Sequence, residues 1–405
     1  MGTRRATGES SVLLVGSAVN GVFAYVFVAI GTRAVGAEGF APVAVLWTFW
    51  ALSAAVLTFP LQHWVIRQMA IDGDAGGVRA ALPRILGWVA GVVGALTVIA
   101  AVFRAELFGA EASWVWPALV AGTAAGSGYL GMVRGLLAGA GRYGPAAAVI
   151  GGENVVRVAA AVIAATVSAD AAAFGMALLA GPIAGVFRPS VLPGAPPATP
   201  PDRALLGSAG IGLLLAQIVL NGGPPLLAAL GGSEAEVTAF FAALALFRAP
   251  YLLALGLTVR VTAPLTRLVE DRRFEVLGRI TRLGAAATVA AAAAAAGVGW
   301  AVGPAVIRVL FGEGTDPSAA VTAAVAAGCT LALGALGLTV ALIARAASVA
   351  LSASWAASVA GGGIVLVIAS GWPAVERVVL AFVAAEAVAV AAMTFAGERW
   401  LRAMR

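Results

Sequence analysis

Apolar stretches of roughly 20 residues recur along the chain, each closed by a short polar or basic segment. They lie near 11–31, 41–61, 82–103, 114–136, 145–167, 170–187, 204–228, 237–258, 281–303, 318–341, 347–370 and 374–396. A helix needs about 20 mostly apolar residues to cross a bilayer. The pattern therefore predicts an all-α polytopic membrane protein with about twelve transmembrane helices. The first run follows Arg4 and Arg5 and exceeds the length of a signal-peptide core, so it is expected to stay as an uncleaved helix.

Composition agrees with this pattern. Hydrophobic residues make up 61% of the 405 residues and charged residues 11%. Soluble domains are roughly 45–50% apolar and about 25% charged. All 25 basic residues are arginine, and the formal net charge is +6. In a soluble protein that balance would suggest nucleic acid. Here the arginines sit between apolar runs, so topology explains them and no nucleic-acid partner is expected. With the N-terminus inside, nineteen arginines fall on the inner side, among them Arg67, Arg134, Arg272, Arg345 and Arg402. The outer side receives Arg33, Arg104, Arg308 and Arg377. Positive charge favours the cytoplasmic side. This asymmetry predicts both termini inside and a multi-pass protein of the cytoplasmic membrane.

The segment 188–203 holds Pro189, Pro193, Pro196, Pro197, Pro200 and Pro201. Proline stiffens an extended path and gives no amide donor. We read 188–203 as a cytoplasmic linker between a six-helix bundle at 1–187 and a second at 204–405. A faint repeat supports this: Ser11–Arg67 and Ser208–Arg273 share an early asparagine, a glycine-rich turn, a long helix and a basic loop. The loop 264–282 can form an amphipathic surface helix with Leu268, Phe274, Leu277 and Ile280 on one side, or extend the neighbouring helices. Gly87/Gly91, Gly122/Gly126 and Gly131/Gly135 have the spacing that lets helices approach closely.

Catalytic signatures are missing. One histidine, His63, and one cysteine, Cys329, leave no set for nucleophilic catalysis, no metal cluster and no cofactor site, so an enzyme is not expected. The informative residues are charges inside apolar runs, which usually face a cavity or a partner. Arg248 sits in the eighth run beside Pro250. It is either a cavity arginine that holds a phosphate through its planar fork or one paired across helices. Glu153 and Arg157 share a helix face, as a self-neutralising pair or a cavity-lining one. Glu386 has no sequence-local partner and is a candidate ion-coupling residue or an interhelical hydrogen-bonding group. Asn20 and Asn221, in the first helix of each half, read as packing groups, and Asn20 is also a candidate cavity ligand for substrate.

Three segments resemble polysaccharide flippases of the multidrug/oligosaccharidyl-lipid/polysaccharide exporter superfamily. The first is Asn20-Gly21-Val22-Phe23, then Gly31-Thr32-Arg33-Ala34-Val35-Gly36 and Gly39-Phe40. Arg33 and Gly36 match an arginine-x-leucine-glycine pattern, with Val35 in the leucine position. The second is Arg134-Gly135-Leu136-Leu137-Ala138-Gly139 with Gly141-Arg142-Tyr143-Gly144, followed by Glu153 and Arg157. The third is Phe247-Arg248-Ala249-Pro250-Tyr251-Leu252, with Pro264 after it. The resemblance implies two six-helix bundles around a central cavity. It implies that an undecaprenyl-phosphate-linked glycan is moved between leaflets by alternating access. Arg248, Arg157 and Arg33 are the positions that would meet the pyrophosphate-sugar head group.

The expected function is a flippase for a lipid-linked oligosaccharide or polysaccharide precursor. Its partners would be that anionic lipid-linked substrate, membrane lipids, and glycosyltransferases or a polymerase of the same pathway. The rivals are a cation-coupled multidrug exporter of the same superfamily, with Glu386 and Glu153 as its acids, and a non-transporting scaffold of cell-envelope assembly.

Overall fold

A computed structural model describes residues 2–109, 112–186 and 208–404. The side chains of residues 2–20, 208 and 209 and of six positions between 256 and 263 fall outside that description, as does the proline-rich segment 188–203. The described residues are helical, and they form two bundles of six spans. Contacts divide the chain into two compact units, Met1–Gly207 and Ser208–Arg405.

In the first unit, α1 (Gly2–Ser53) carries the first two apolar runs. Gly36 separates them with φ 74° and ψ 174°, a conformation open to glycine. The chain folds back there. Phe27 and Trp47 are twenty residues apart, yet their ring centroids lie 5.5 Å from each other. Twenty residues of straight helix would rise about 30 Å. The second run widens into a π-helical turn, Ala54–Thr58, before α2 (Phe59–Asp72). Pro60 lacks an amide hydrogen, and its ring would clash with the carbonyl of Val56 in a regular helix. The wider turn absorbs that conflict.

The unit continues with α3 (Gly76–Val102), α4 (Arg104–Phe108), α5 (Val115–Gly139) and α6 (Tyr143–Val167). The sixth span is split into α7 (Ala171–Leu179) and α8 (Ile183–Val186) around Gly181-Pro182. The Asp170 carboxylate caps α7 by accepting from the Ala173 amide at 2.8 Å. Small residues let α5 approach the π-helical turn and α2 closely. A methyl group on Gly131 would stand 2.7 Å from the Thr58 carbonyl oxygen, and one on Gly135 would meet Val65 at 2.7 Å. The Thr58 hydroxyl donates to the Ser127 carbonyl at 2.8 Å. Gly122 and Gly126 face Leu179 and Pro182. Gly87 and Gly91 correct the sequence expectation, since no atom lies within 4 Å of a methyl group at either. They sit on α3, whose apolar window is mostly exposed, so their spacing serves no helix contact among the described residues.

The second unit opens with α9 (Ser208–Asn221) and α10 (Gly223–Ala229), bent 60° at Gly222. The eighth apolar run, read from the sequence as one span, is two helices: α11 (Glu234–Phe247) and α12 (Ala249–Glu270), bent 47° at Arg248. Pro250 in the first turn of α12 causes the break, because it has no amide hydrogen to donate to the Leu246 carbonyl and its ring clashes with that carbonyl in a continuous helix. Then follow α13 (Phe274–Phe311), α14 (Ala319–Ala344), α15 (Ser348–Ile368) and α16 (Ala374–Ala403). Of the two readings for 264–282, the separate surface helix is not present and the extension of the neighbouring helices is: those residues end α12, turn at 271–273 and begin α13. Their apolar side packs inward: Leu268, Phe274 and Leu277 join Leu265, Val340, Trp400 and Leu401. Burying that face against the bundle removes the surface a bilayer would have covered.

Candidate functional site

The first unit places one buried ionic cluster between its helices. On α6, residues 153, 154 and 157 share a face through the helical repeat. Glu153 pairs with Arg157 at 2.5 Å and also with Arg134 of α5. Each nitrogen of Arg157 is engaged. Nη2 meets Glu153, Nη1 donates to the Asn154 side-chain oxygen at 3.1 Å, and Nε donates to the Leu178 carbonyl at 3.0 Å. Leu178 offers that carbonyl because it lies in the last turn of α7, where no intrahelical donor follows. The break at Gly181 also makes room: a methyl group there would stand 2.7 Å from Arg157 Nε. The guanidinium lies 4.2 Å over the Trp50 ring, and Arg157 is 1% exposed. Two arginines and one glutamate give the cluster a formal charge of +1.

Arg134 requires a correction. It was counted among the inner-side loop arginines, yet it is 8% exposed and lies within α5. Its place inside the fourth apolar run was a signal that the residue is an ionic partner rather than a topology marker.

The second unit has a different arrangement. Arg248 is 8% exposed and stands at the junction of α11 and α12. Its Nη1 donates to the side-chain oxygen of Asn221 at 2.7 Å. Asn221 is the last residue of α9, so this bond ties the two helix breaks together. The Asn221 amide donates in turn to the Gln217 side-chain oxygen at 2.9 Å, and Gln217 donates to the Tyr251 hydroxyl at 3.4 Å. The cross-helix pairing of Arg248 is thus present, with a neutral amide as the partner. Gln217 was not picked out in the sequence, and Tyr251 figured there only as part of the third resembling segment, with no role given to it.

Glu386 of α16 is fully buried, and neither carboxylate oxygen has a hydrogen-bond partner among the described residues. The nearby Ser358 hydroxyl donates to the Ala385 carbonyl at 2.7 Å instead. Tyr251 and Cys329 both lie within electrostatic reach of Glu386, and Cys329 within that of Arg248. The broken helices, the arginine and the carboxylate therefore share one region of the second unit.

The remaining sequence candidates stand apart. Arg33 is exposed and folds its Nη1 back to the Ala29 carbonyl of its own helix at 3.5 Å. Asn20 lies on α1, and its side chain is outside the described ones. Among the described residues no three His, Cys, Asp or Glu side chains are grouped to hold a metal ion.

No family model matches the chain, and no curated protein does. Solved structures do. One is an inward-facing multidrug resistance MATE family transporter of the MOP superfamily, with TM-score 0.70, 14% identity and 98% of each chain covered. Another is a MOP superfamily transporter from Pyrococcus furiosus, described by a reverse polarity of its binding pocket. It gives TM-score 0.63 at 14% identity, over 98% of this chain and 96% of that one. An outward-facing MATE family transporter gives TM-score 0.56 at 15% identity, over 98% and 94%. Across almost its whole length, then, the chain has the MATE transporter fold, a multi-pass helical membrane architecture of two six-helix bundles.

Proposed function

We propose that the chain is a flippase that moves a lipid-linked oligosaccharide or polysaccharide precursor across the cytoplasmic membrane by alternating access. The observation that carries this reading is the partner of Arg248. A buried guanidinium held by a neutral amide can exchange that amide for an anionic phosphate oxygen, which adds charge–charge attraction and suits the planar fork of arginine. Arg157 is held by a carboxylate, a carbonyl and an indole face, so an incoming anion gains less there. Arg248 is therefore the residue we assign to the head group, and Arg157 with Glu153 the group that holds the first bundle together. A phosphate head cannot cross hydrocarbon unaided, and arginines at a helix break replace part of its water. The MATE fold supports transport as the mechanism, with glycosyltransferases or a polymerase as pathway partners.

Deletion of the gene should reduce surface glycan and accumulate the lipid-linked precursor. Unchanged glycan together with no accumulation would refute the reading. A second reading, a cation-coupled multidrug exporter, is favoured by Glu386, whose unpartnered buried carboxylate suits a proton or cation. A deletion strain with normal glycan and raised drug sensitivity would favour that reading instead.

A further inference from the structure

A second buried arginine of the C-terminal unit lies far along the bundle from Glu386, at a helix end. Arg345 follows the last residue of α14 and is 5% exposed. Three helices close on it. Its Nη2 donates to the Thr281 hydroxyl of α13 at 2.8 Å, and its guanidinium lies 5.6 Å from the Trp400 ring of α16. Gly397 of α16 leaves it space: a methyl group there would stand 2.5 Å from Arg345 Nη1. Among the described residues Arg345 has no carboxylate within ion-pair distance, and its Nε has no acceptor. Burial pushes its guanidinium down to about 10, so it stays cationic at neutral pH. The carbonyls at the α14 C-terminus offset part of that charge.

Exposed arginines lie at this end of the same elements: Arg267 on α12, Arg272 and Arg273 in the turn, Arg279 and Arg282 on α13, and Arg399 and Arg402 on α16. The acids at the same end are Glu270, Asp271, Glu275 and Glu398, so arginine is in excess. This is the end that arginine asymmetry assigns to the cytoplasm. Trp400, stacked edge-on with Phe274, is the kind of amphipathic ring that settles at head-group depth. Basic pockets between helices on the cytoplasmic side suit anionic lipid head groups.

The geometry points to a phospholipid site at this end of the second bundle, in which the phosphate of an anionic inner-leaflet lipid docks on Arg345 between α13, α14 and α16. The phosphate supplies the acceptor that Arg345 lacks, and its negative charge is also drawn to the arginine rim. The acyl chains lie along the exposed apolar flank of α13, where Leu283 is 62% and Val289 58% exposed. This site is separate from the Arg248 region and does not depend on what the protein transports.

Thermal melting of the purified full chain in detergent tests it, with phosphatidylglycerol, phosphatidylcholine or inorganic phosphate added. Phosphatidylglycerol should raise the melting temperature and phosphatidylcholine should not. In Arg345→Gln the phosphatidylglycerol effect should fall to the phosphatidylcholine level. In Arg308→Gln, at the far end of α13, it should persist. If Arg345→Gln yields no folded protein, Gly397→Ala keeps the arginine, crowds its Nη1, and should weaken the lipid effect. Equal protection of the wild type and both site variants would overturn the proposal. So would protection by inorganic phosphate matching that by the lipid, which would mark a free-anion site.

Discussion

Arg248 donates to Asn221 at 2.7 Å and so joins the breaks of two helices that the sequence runs as separate spans. If Arg248 is the head-group ligand, its loss and the loss of Asn221 should differ. Arg248→Ala should abolish complementation of glycan export, with the protein still present in the membrane. Asn221→Ala removes a neutral partner that substrate displaces, so export should persist at a reduced level. Each variant leaves a buried polar group short of a partner, at a cost of about 1–3 kcal/mol. Membrane abundance measured beside export separates that cost from function. Full export by Arg248→Ala would remove the central residue of the proposal.

The Arg134–Glu153–Arg157 cluster gives a prediction about stability. Glu153→Gln leaves two buried guanidinium groups without their shared anion, and breaking such a pair costs about 3–5 kcal/mol. The melting temperature of the purified protein should fall clearly. Replacing all three residues with methionine removes the uncompensated charge along with its partner. That triple variant should melt above Glu153→Gln, because well-packed apolar substitutes for a buried triad are often neutral or better. If the triple variant melts below the single one, the cluster does more than hold helices.

Two glycines of identical spacing should behave oppositely. Gly131→Val places side-chain atoms against the Thr58 backbone and should lower the melting temperature or the yield. Gly87→Ala meets open space and should be neutral or stabilising, by up to about 1 kcal/mol from helix propensity. Comparable losses in both would show that α3 packs against a face absent from this arrangement.

Glu386→Gln keeps the shape and removes the ionisable proton. The protein should melt at or above the wild-type temperature, since a buried carboxylate without hydrogen bonds is costly to keep. In proteoliposomes under an imposed proton or sodium gradient, a coupling role predicts that transport in this variant no longer responds to the gradient. An unaltered response would confine Glu386 to packing.

The legible part of the site was residue type. Arg248, Arg157, Glu153 and Glu386 stand out because a charge within an apolar run is expensive wherever it points. The Glu153–Arg157 pairing was legible from helical spacing, but the partners on other helices were not. Arg134 is nineteen residues from Glu153, and Leu178 contributes only a backbone carbonyl, which no side-chain pattern reveals. The segment 264–282 stayed open between a surface helix and helix extensions for a related reason. An amphipathic period says that one face is covered, and Trp400 and Leu401, more than a hundred residues later, do the covering.

The sequence by itself determined the number of spans and their six-and-six order. Those properties follow from local length and hydrophobicity, which each segment carries alone. Only the tertiary structure decided which arginine is locked and which is held by a neutral amide. It also decided which glycine seam is a contact and which basic end surrounds a buried cation. These depend on atoms brought together from distant helices, and hydrophobic periodicity is blind to which neighbour a face will meet.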